Sequence, residues 1–107
     1  MPKYRFNSFG AQIRTLREIA TVPLREVASK IGIDPSLLAK IERNQRHPSK
    51  EFIRQMALFY KVDEQALFNE YLSDQIANKI IDEKADLAIL KVAEKKVSYL
   101  KALKHEK

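Results

Sequence analysis

Residues 24–41, LREVASKIGIDPSLLAKI, constrain the fold of this chain more than any other segment. Apolar residues recur at helical spacing on both sides of Gly32, namely Val27, Ile31, Leu38 and Ile41. Ala28 is small enough to let a second helix pass close over the first. Gly32 is one of two glycines in the chain, and a residue without a Cβ can end a helix in a left-handed conformation at little cost. The segment therefore predicts two short helices that cross at a tight turn.

The second of these helices is predicted to begin at Asp34. Asp34 is a favourable N-cap, and Pro35 suits the first helical position, where no backbone N–H is needed. The outward positions form a short, mixed face that is basic toward its end: Pro35, Ser36, Leu37, Ala39, Lys40 and Arg43. An ordinary pair of packed helices would also need Ala28, Gly32 and Leu38, but a face of this kind fits the major groove of DNA. The segment is interpreted as a helix-turn-helix motif.

Charge is distributed unevenly along the chain. Residues 1–60 hold eleven lysines and arginines against five acids, so this part carries +6, the formal charge of the whole chain. Residues 61–107 hold nine lysines and nine acids, and every arginine lies in the first part. Because arginine is suited to bidentate contacts with phosphate and guanine, this segregation favours a nucleic-acid partner over a protein that is merely basic and soluble.

The same part of the chain resembles the phage repressor/Cro (XRE) family of helix-turn-helix proteins. The resemblance runs from Phe9 to about Phe68 and rests on IRTLRE at 13–18, LREVASKIGI at 24–33 and SLLAKIERNQRHPS at 36–49. The last of these contains the pattern I-E-x-G-x-R-x-P-S that is typical of the family, except at the glycine. The resemblance implies a five-helix lambda-repressor-like DNA-binding domain. Because no stretch of the sequence shows period-2 alternation, the whole chain is predicted to be all-α, with a C-terminal helical extension beyond the part that resembles the family.

Two positions depart from the family pattern. Asn44 stands where glycine is usual, and asparagine is the non-glycine residue that best tolerates a left-handed conformation, so we expect the turn to survive. Pro23-Leu24 replaces Ser-Gln, so the glutamine that would touch a phosphate is absent. Arg25 is the expected substitute for that contact.

The resemblance also implies which side chains contact DNA. Ser36 and Lys40 would reach base edges, and Leu37 would contact either a thymine methyl group or the core. Phosphate contacts would come from residues around the recognition helix: Arg25, Arg43, Asn44, Gln45, Arg46 and Lys50. His47 either joins this set or is simply exposed.

Two further groups of residues have implied or predicted roles. Arg17 and Glu42 match a pair that family members bury as a salt bridge between the first helix and the end of the recognition helix. Such a pair would hold the reading helix in place without touching DNA. Lys3 and Arg5 lie in a short arm before the first helix, and they either touch DNA or belong to a frayed terminus.

Cap residues place the remaining helices and the domain boundary. The first helix is predicted to be capped near Ser8, the fourth to start at Pro48-Ser49 and the fifth at Val62-Asp63. Residues 1–71 are predicted to form the DNA-binding domain, and residues 72–107 the helical extension.

The extension is predicted to contain a segment capped by Ser73 and a helix opened by Asp86. Within the second helix, four residues recur at 3-4-3 spacing and form a coiled-coil-like seam: Leu90, Ala93, Val97 and Leu100. A helix of this kind must bury its stripe either against its own domain or against a partner. We favour dimerisation, because one motif reads only a few base pairs and specificity usually needs two.

Composition limits the other functions. The chain has no cysteine, so it offers no disulfide framework, thiol redox sensor or cysteine metal site. The sequence indicates no enzyme, no cofactor, no metal site, no evident small-molecule ligand, no signal peptide and no membrane span. The expected location is the cytoplasm of a bacterium.

Two function classes remain from the sequence. The first is a sequence-specific transcriptional regulator of double-stranded DNA, most simply a homodimeric repressor on an inverted-repeat operator. In one variant it controls a neighbouring methylation or restriction gene. The second is an antitoxin or interaction module whose C-terminal helices bind a partner protein, with DNA binding serving only autoregulation.

Overall fold

The computed structural model describes residues 8–105, and all regular structure in that range is helical. Six helices follow one another: α1 (Phe9–Ala20), α2 (Leu24–Ile31), α3 (Pro35–Glu42), α4 (Lys50–Tyr60), α5 (Glu64–Asp82) and α6 (Ile89–His105). This confirms the predicted all-α fold with additional C-terminal helices. No helix in the described range is long and apolar enough to span a membrane. The predicted arm with Lys3 and Arg5 lies outside the described residues.

The helix-turn-helix segment folds as its residues predict. α2 ends at Gly32, whose φ of 79° is left-handed. α3 begins at Pro35, and the Asp34 side chain caps it by accepting a hydrogen bond from the Ser36 N–H at 2.9 Å. Ile33, between the two helices, packs against the core. The predicted turn and the predicted start of the second helix are therefore confirmed.

The core lies among the first five helices. α3 packs against α1 and α2, and α4 packs against the same two helices. Its members are apolar side chains that are almost completely buried: Phe9, Ile13, Val27, Ala28, Leu38, Ile41, Phe52, Ile53, Met56, Ala57 and Leu67. Ile31, predicted to lie on the inner face of α2, is only partly buried at the edge of this cluster. The core fixes the angle at which α3 is presented.

Side-chain caps set the starts of α4 and α5. Ser49 accepts a hydrogen bond from the Phe52 N–H at 3.0 Å, and Asp63 accepts one from the Ala66 N–H at 2.8 Å. Each bond satisfies a backbone donor that has no partner within its own helix. Both predicted starts are confirmed to within two residues.

The prediction that Ser73 caps a new helix is wrong. α5 runs without a break from Glu64 to Asp82, and Ser73 lies in its interior. Its hydroxyl donates to the carbonyl oxygen of Glu70 at 2.9 Å, a local bond that lets serine sit inside a helix. No glycine or proline interrupts residues 64–82, so nothing in the segment ends the helix at the predicted boundary.

The chain divides into two compact units, one ending at Asp74 and the other beginning at Gln75. The division falls inside α5 and not between helices. In the second unit, Asp86 accepts a hydrogen bond from the Ala88 N–H at 2.8 Å and caps a single turn, and α6 begins after it at Ile89. Every residue of α6 is exposed. The predicted roles of the two parts remain predictions.

The amino end of α1 is tied to distant parts of the chain. Three successive backbone N–H groups donate to side chains: Phe9 to Asp74 at 2.7 Å, Gly10 to Asn44 at 3.0 Å, and Ala11 to Ser8 at 3.1 Å. These are donors that a helix leaves unsatisfied at its first turn. The start of α1 is thereby held by α5, by the turn after α3 and by its own cap.

Gly10 permits the closest approach between α1 and the end of α3. A Cβ at this position would lie 2.5 Å from the carbonyl oxygen of Glu42, 2.6 Å from Oδ1 of Asn44 and 2.7 Å from the carbonyl oxygen of Ile41. Two of these atoms are backbone, so the neighbours cannot move aside without shifting α3. Glycine is required here for packing, although its φ is not left-handed.

Replacing Gly10 with alanine tests this approach. Alanine favours helix by about 1 kcal/mol over glycine, so an uncrowded site would be stabilised. We expect Gly10→Ala to lower the free energy of unfolding by about 1–3 kcal/mol, because the methyl group separates α1 from α3. Urea denaturation measures this difference. A midpoint equal to or above that of the wild type would show that the two helices do not approach so closely.

Candidate nucleic-acid interface

The exposed face of α3 carries the residues predicted to read bases. Ser36 and Lys40 are both exposed and lie one helical turn apart. The Ser36 hydroxyl donates to Oδ1 of Asp34 at 3.1 Å, so its remaining capacity is that of an acceptor. Leu37 is partly buried and packs against the core, which is the second of the two roles predicted for it. The exposed polar surface of α3 is therefore small.

A basic turn follows α3 directly. Arg43 ends the helix, and its guanidinium nitrogens Nε and Nη2 both donate to Oε1 of Gln45 at 3.3 Å. Arg43, Gln45 and Arg46 are exposed. The backbone N–H of Gln45 returns to the Lys40 carbonyl at 2.8 Å, which keeps the turn compact. The turn therefore presents two arginines beside the carboxyl end of α3.

Asn44 has a structural role in this turn. Its φ is 62°, the left-handed conformation expected where the family has glycine. Its side-chain Oδ1 accepts from the Gly10 N–H at 3.0 Å, and its Nδ2 donates to Oγ of Ser8 at 2.9 Å. Both polar atoms of the amide are thus engaged with α1, and one amide hydrogen is left for the predicted phosphate contact. Asn44 fastens the basic turn to the first helix.

The Arg17–Glu42 pair joins α1 to the last residue of α3. Nε of Arg17 lies 2.8 Å from Oε2 of Glu42, and Nη2 lies 3.1 Å from Oε1, so the contact is bidentate. Nη1 also donates to the carbonyl oxygen of Val22 at 3.3 Å. The side chains are 16% and 4% exposed. The hydrogen bond to Glu42 raises the pKa of the Arg17 guanidinium, so this group remains charged at physiological pH.

Tyr60 lies close enough to this pair for its titration to be affected. Burial raises the pKa of the Tyr60 hydroxyl to about 12, and the nearby Glu42 carboxylate adds to the rise. The hydroxyl oxygen is buried and has no hydrogen-bond partner among the described residues. Tyr60 therefore stays neutral and adds bulk beside the ion pair without bonding to it.

Two of the predicted phosphate-binding residues lie at helix starts. Arg25 is exposed in the first turn of α2, which has no side-chain cap because its N-cap is Pro23. Lys50 is the first residue of α4, and its Nζ lies 5.3 Å from the centre of the Phe68 ring, a cation–π contact. His47 is exposed, with its ring 6.4 Å from that of Tyr71 in an edge-on arrangement.

Sequence reasoning missed three of these features. They are the bond from Ser36 to Asp34, the contact of Lys50 with Phe68, and the tie between Asn44 and α1. Of these three features, only the tie between Asn44 and α1 could have been predicted from the sequence. A glycine inside a helical pattern costs stability, and so Gly10 indicated a close approach by another part of the chain.

The chain belongs to the helix-turn-helix domain family, whose model matches residues 10–73. That range covers α1 except for its first residue, all of α2 to α4, and α5 as far as Ser73. The predicted helix-turn-helix segment, residues 24–41, lies inside the matched range, and the family is an XRE-type helix-turn-helix family.

Two curated relatives come from two strains of Mycobacterium tuberculosis, and each is named an uncharacterized HTH-type transcriptional regulator. Each is 34% identical to this chain over 59 residues, which are 55% of the chain and 42% of the relative. The chain thus spans less than half the length of these relatives. No solved structure matches it. The comparisons support a DNA-binding transcriptional regulator.

Removing Arg17 tests the importance of the buried pair. Arg17→Ala strands the Glu42 carboxylate in a buried site, and we expect the free energy of unfolding to fall by roughly 3–5 kcal/mol. Arg14→Ala is the matched control on the same helix. It breaks an exposed i,i+4 pair with Glu18 and is expected to cost less than about 1 kcal/mol. Thermal or urea denaturation measures both losses. Equal small losses would show that the Arg17–Glu42 pair does not stabilise the packing of α3 on α1.

Removing the Tyr60 hydroxyl is expected to have the opposite effect. Tyr60→Phe deletes a buried polar atom that lacks a partner, so the free energy of unfolding should stay the same or rise by up to about 1 kcal/mol. The same urea titration measures it. A clear loss of stability would show that the hydroxyl has a bonding role beside Arg17 and Glu42.

Proposed function

We propose that this chain is a repressor that binds an inverted-repeat operator as a homodimer. The observation that carries the proposal is the small exposed face of α3, with Ser36 and Lys40 one turn apart and a basic turn at its end. A helix with this face fits the major groove, and the buried Arg17–Glu42 pair holds it rigidly on α1. Rigid presentation lowers the ordering cost of binding.

Base reading is assigned to two side chains. Lys40 donates to the O6 and N7 acceptors of guanine. Ser36 has given its hydroxyl hydrogen to Asp34, so it accepts from an amino group, either N4 of cytosine or N6 of adenine. Leu37 is assigned to the core rather than to a thymine methyl group. Such sparse readout discriminates only a few base pairs in each half-site.

Affinity comes mainly from phosphate contacts. Arg43 and Arg46 lie in the exposed turn after α3, Arg25 in the first turn of α2, and Lys50 at the start of α4. Gln45 accepts from Arg43, which orients that guanidinium, and its own amide NH₂ is free to donate. Phosphate contacts fix the position of a protein on DNA but carry no sequence information, so specificity requires a second copy.

A dimer supplies that second reading helix. Two motifs spaced about 34 Å apart read successive major grooves on one face of the duplex. The exposed seam Leu90, Ala93, Val97 and Leu100 on α6 is the proposed dimer contact. A homodimer across a promoter blocks transcription by occupying it, and a neighbouring methylation or restriction gene is one candidate target.

An interaction module is the second candidate function. The exposed apolar residues of α6 also suit a different protein, as in an antitoxin whose DNA binding serves only autoregulation. Under this alternative the purified chain would be a monomer at micromolar concentration, and it would bind DNA tightly only together with its partner.

Selection of bound duplexes from a random pool at two salt concentrations tests the proposal. We expect enrichment of an inverted repeat whose half-sites are about one helical turn apart. Binding that enriches no sequence and collapses as salt rises would reflect phosphate attraction alone, and it would contradict specific recognition.

Two substitutions separate base reading from phosphate binding. Lys40→Ala is expected to reduce discrimination among operator variants by roughly 1–3 kcal/mol. Arg46→Ala is expected to weaken binding to all duplexes alike and to reduce the salt slope by about one. Fluorescence anisotropy on cognate and random duplexes at several salt concentrations measures both. Equal losses on both duplexes for Lys40→Ala would contradict its role as a reader.

A further inference from the structure

The ammonium group of Lys50 lies over an aromatic ring of α5. Its Nζ is 5.3 Å from the centre of the Phe68 ring, within the range of about 6 Å in which the face of a ring attracts a cation. Lys50 is exposed at the start of α4, whereas Phe68 is partly buried and packs against the core. The contact therefore connects a long, flexible side chain to a ring that belongs to the folded domain.

The Phe68 ring is itself held by a row of aromatic side chains. Its centre lies 6.4 Å from that of Tyr71, which is one turn further along α5. The Tyr71 ring stands edge-on to the ring of Phe9 at 5.7 Å, and Phe9 is a buried member of the core. Aromatic side chains attract one another at centre-to-centre separations of about 4.5–7 Å. The row therefore links the position of the Phe68 ring to the core.

No carboxylate draws the Lys50 ammonium group away from this ring. Among residues 8–105, Lys50 forms no ion pair. The neighbouring Glu51 is occupied by Arg54, whose Nε and Nη2 lie 3.1 Å and 2.6 Å from its two carboxylate oxygens. Glu64 borders the same cleft as Lys50 without coming within ion-pair distance of it. The ammonium group has three N–H donors, and the ring leaves donors available to an anion.

A lysine that is already oriented binds a phosphate at a lower entropic cost. Lysine is among the side chains that lose the most rotamer freedom when they are fixed in one position. Contact with the Phe68 ring restricts the Lys50 side chain before DNA is present, so less freedom is lost on binding. Because the ring carries no charge, the ammonium group keeps its full charge for the phosphate.

We propose that Phe68 is a positioning residue for DNA binding, which holds the Lys50 ammonium group where it meets a phosphate of the duplex. The inference rests on the phosphate contact assigned to Lys50 in the proposed function, and it adds a residue that does not itself touch DNA. It requires neither a dimer nor an operator, because phosphate contacts carry no sequence information.

A double-mutant cycle on a duplex of random sequence tests this role. Phe68→Leu removes the ring but keeps an apolar side chain, and we expect it to weaken binding about two- to fivefold, as the loss of an exposed cation–π contact would. The salt slope should not change, because Lys50 keeps its charge. Lys50→Ala should weaken binding and reduce the salt slope by about one. In the Lys50→Ala background, Phe68→Leu should have no further effect on affinity. Fluorescence anisotropy at several salt concentrations measures all three variants.

Two further variants distinguish positioning from a general effect on the fold. Phe68→Tyr keeps the face of the ring and should bind DNA as tightly as the wild type. Phe59→Leu removes another partly buried ring, which packs edge-on against Tyr60, and it should leave the affinity unchanged. Circular dichroism establishes that each variant is folded under the binding conditions.

The possible failures of this inference and of the proposed function are distinct. The positioning role would be overturned if Phe68→Leu had the same effect with and without Lys50, or if Phe59→Leu weakened binding equally. Unchanged affinity and salt slope in Lys50→Ala would overturn the phosphate contact and the positioning role together. Failure to enrich an inverted repeat would instead contradict the proposed function and leave this inference standing.

Discussion

The bidentate contact between Arg17 and Glu42 is the interaction on which the placement of α3 depends. It joins the last turn of α1 to the last residue of α3, and it lies beside the core rather than on the surface. Removing one partner of such a pair costs several times more than breaking an exposed pair, because the remaining charge cannot be hydrated. The pair therefore stabilises the fold only while both members are present, and in that state it specifies where α3 ends relative to α1.

Two neighbouring contacts also fix the position of α3 relative to α1. Gly10 lets the backbone of α1 approach the last carbonyl groups of α3, and Asn44 fastens the following turn to the first N–H groups of α1. A glycine at position 44 would adopt the left-handed conformation more cheaply but would lose both side-chain bonds. Asparagine at this position therefore adopts the left-handed conformation at a higher cost than glycine would, but its side chain bonds the basic turn directly to the start of the first helix. These bonds hold the turn that carries Arg43 and Arg46 in place.

The sequence predicted the turn and the helix starts, because these depend on hydrogen bonds and backbone conformations within a few residues of one another. Gly32, Asp34, Ser49 and Asp63 act within a few residues of themselves, so their roles as a turn or a cap are visible in the chain. The bond between Phe9 and Asp74 joins residues 65 apart, and that between Gly10 and Asn44 joins residues 34 apart. No spacing rule connects such positions. Ser73 misled because serine caps helices and also tolerates their interiors, and the choice depends on whether the next turn continues.

The two units differ in how far their apolar side chains are buried. The first unit buries its apolar side chains in a core of its own, whereas α6 leaves all of its residues exposed. In the proposed dimer, α6 would bury its apolar side chains only on association, so its stability would depend on the concentration of a second copy. Because α5 begins in the first unit and ends in the second, dimerisation through the carboxyl-terminal segment would act on the same helix whose Asp74 holds the start of α1. Pairing of two chains and the ordering of their DNA-binding units would then be linked through one continuous helix.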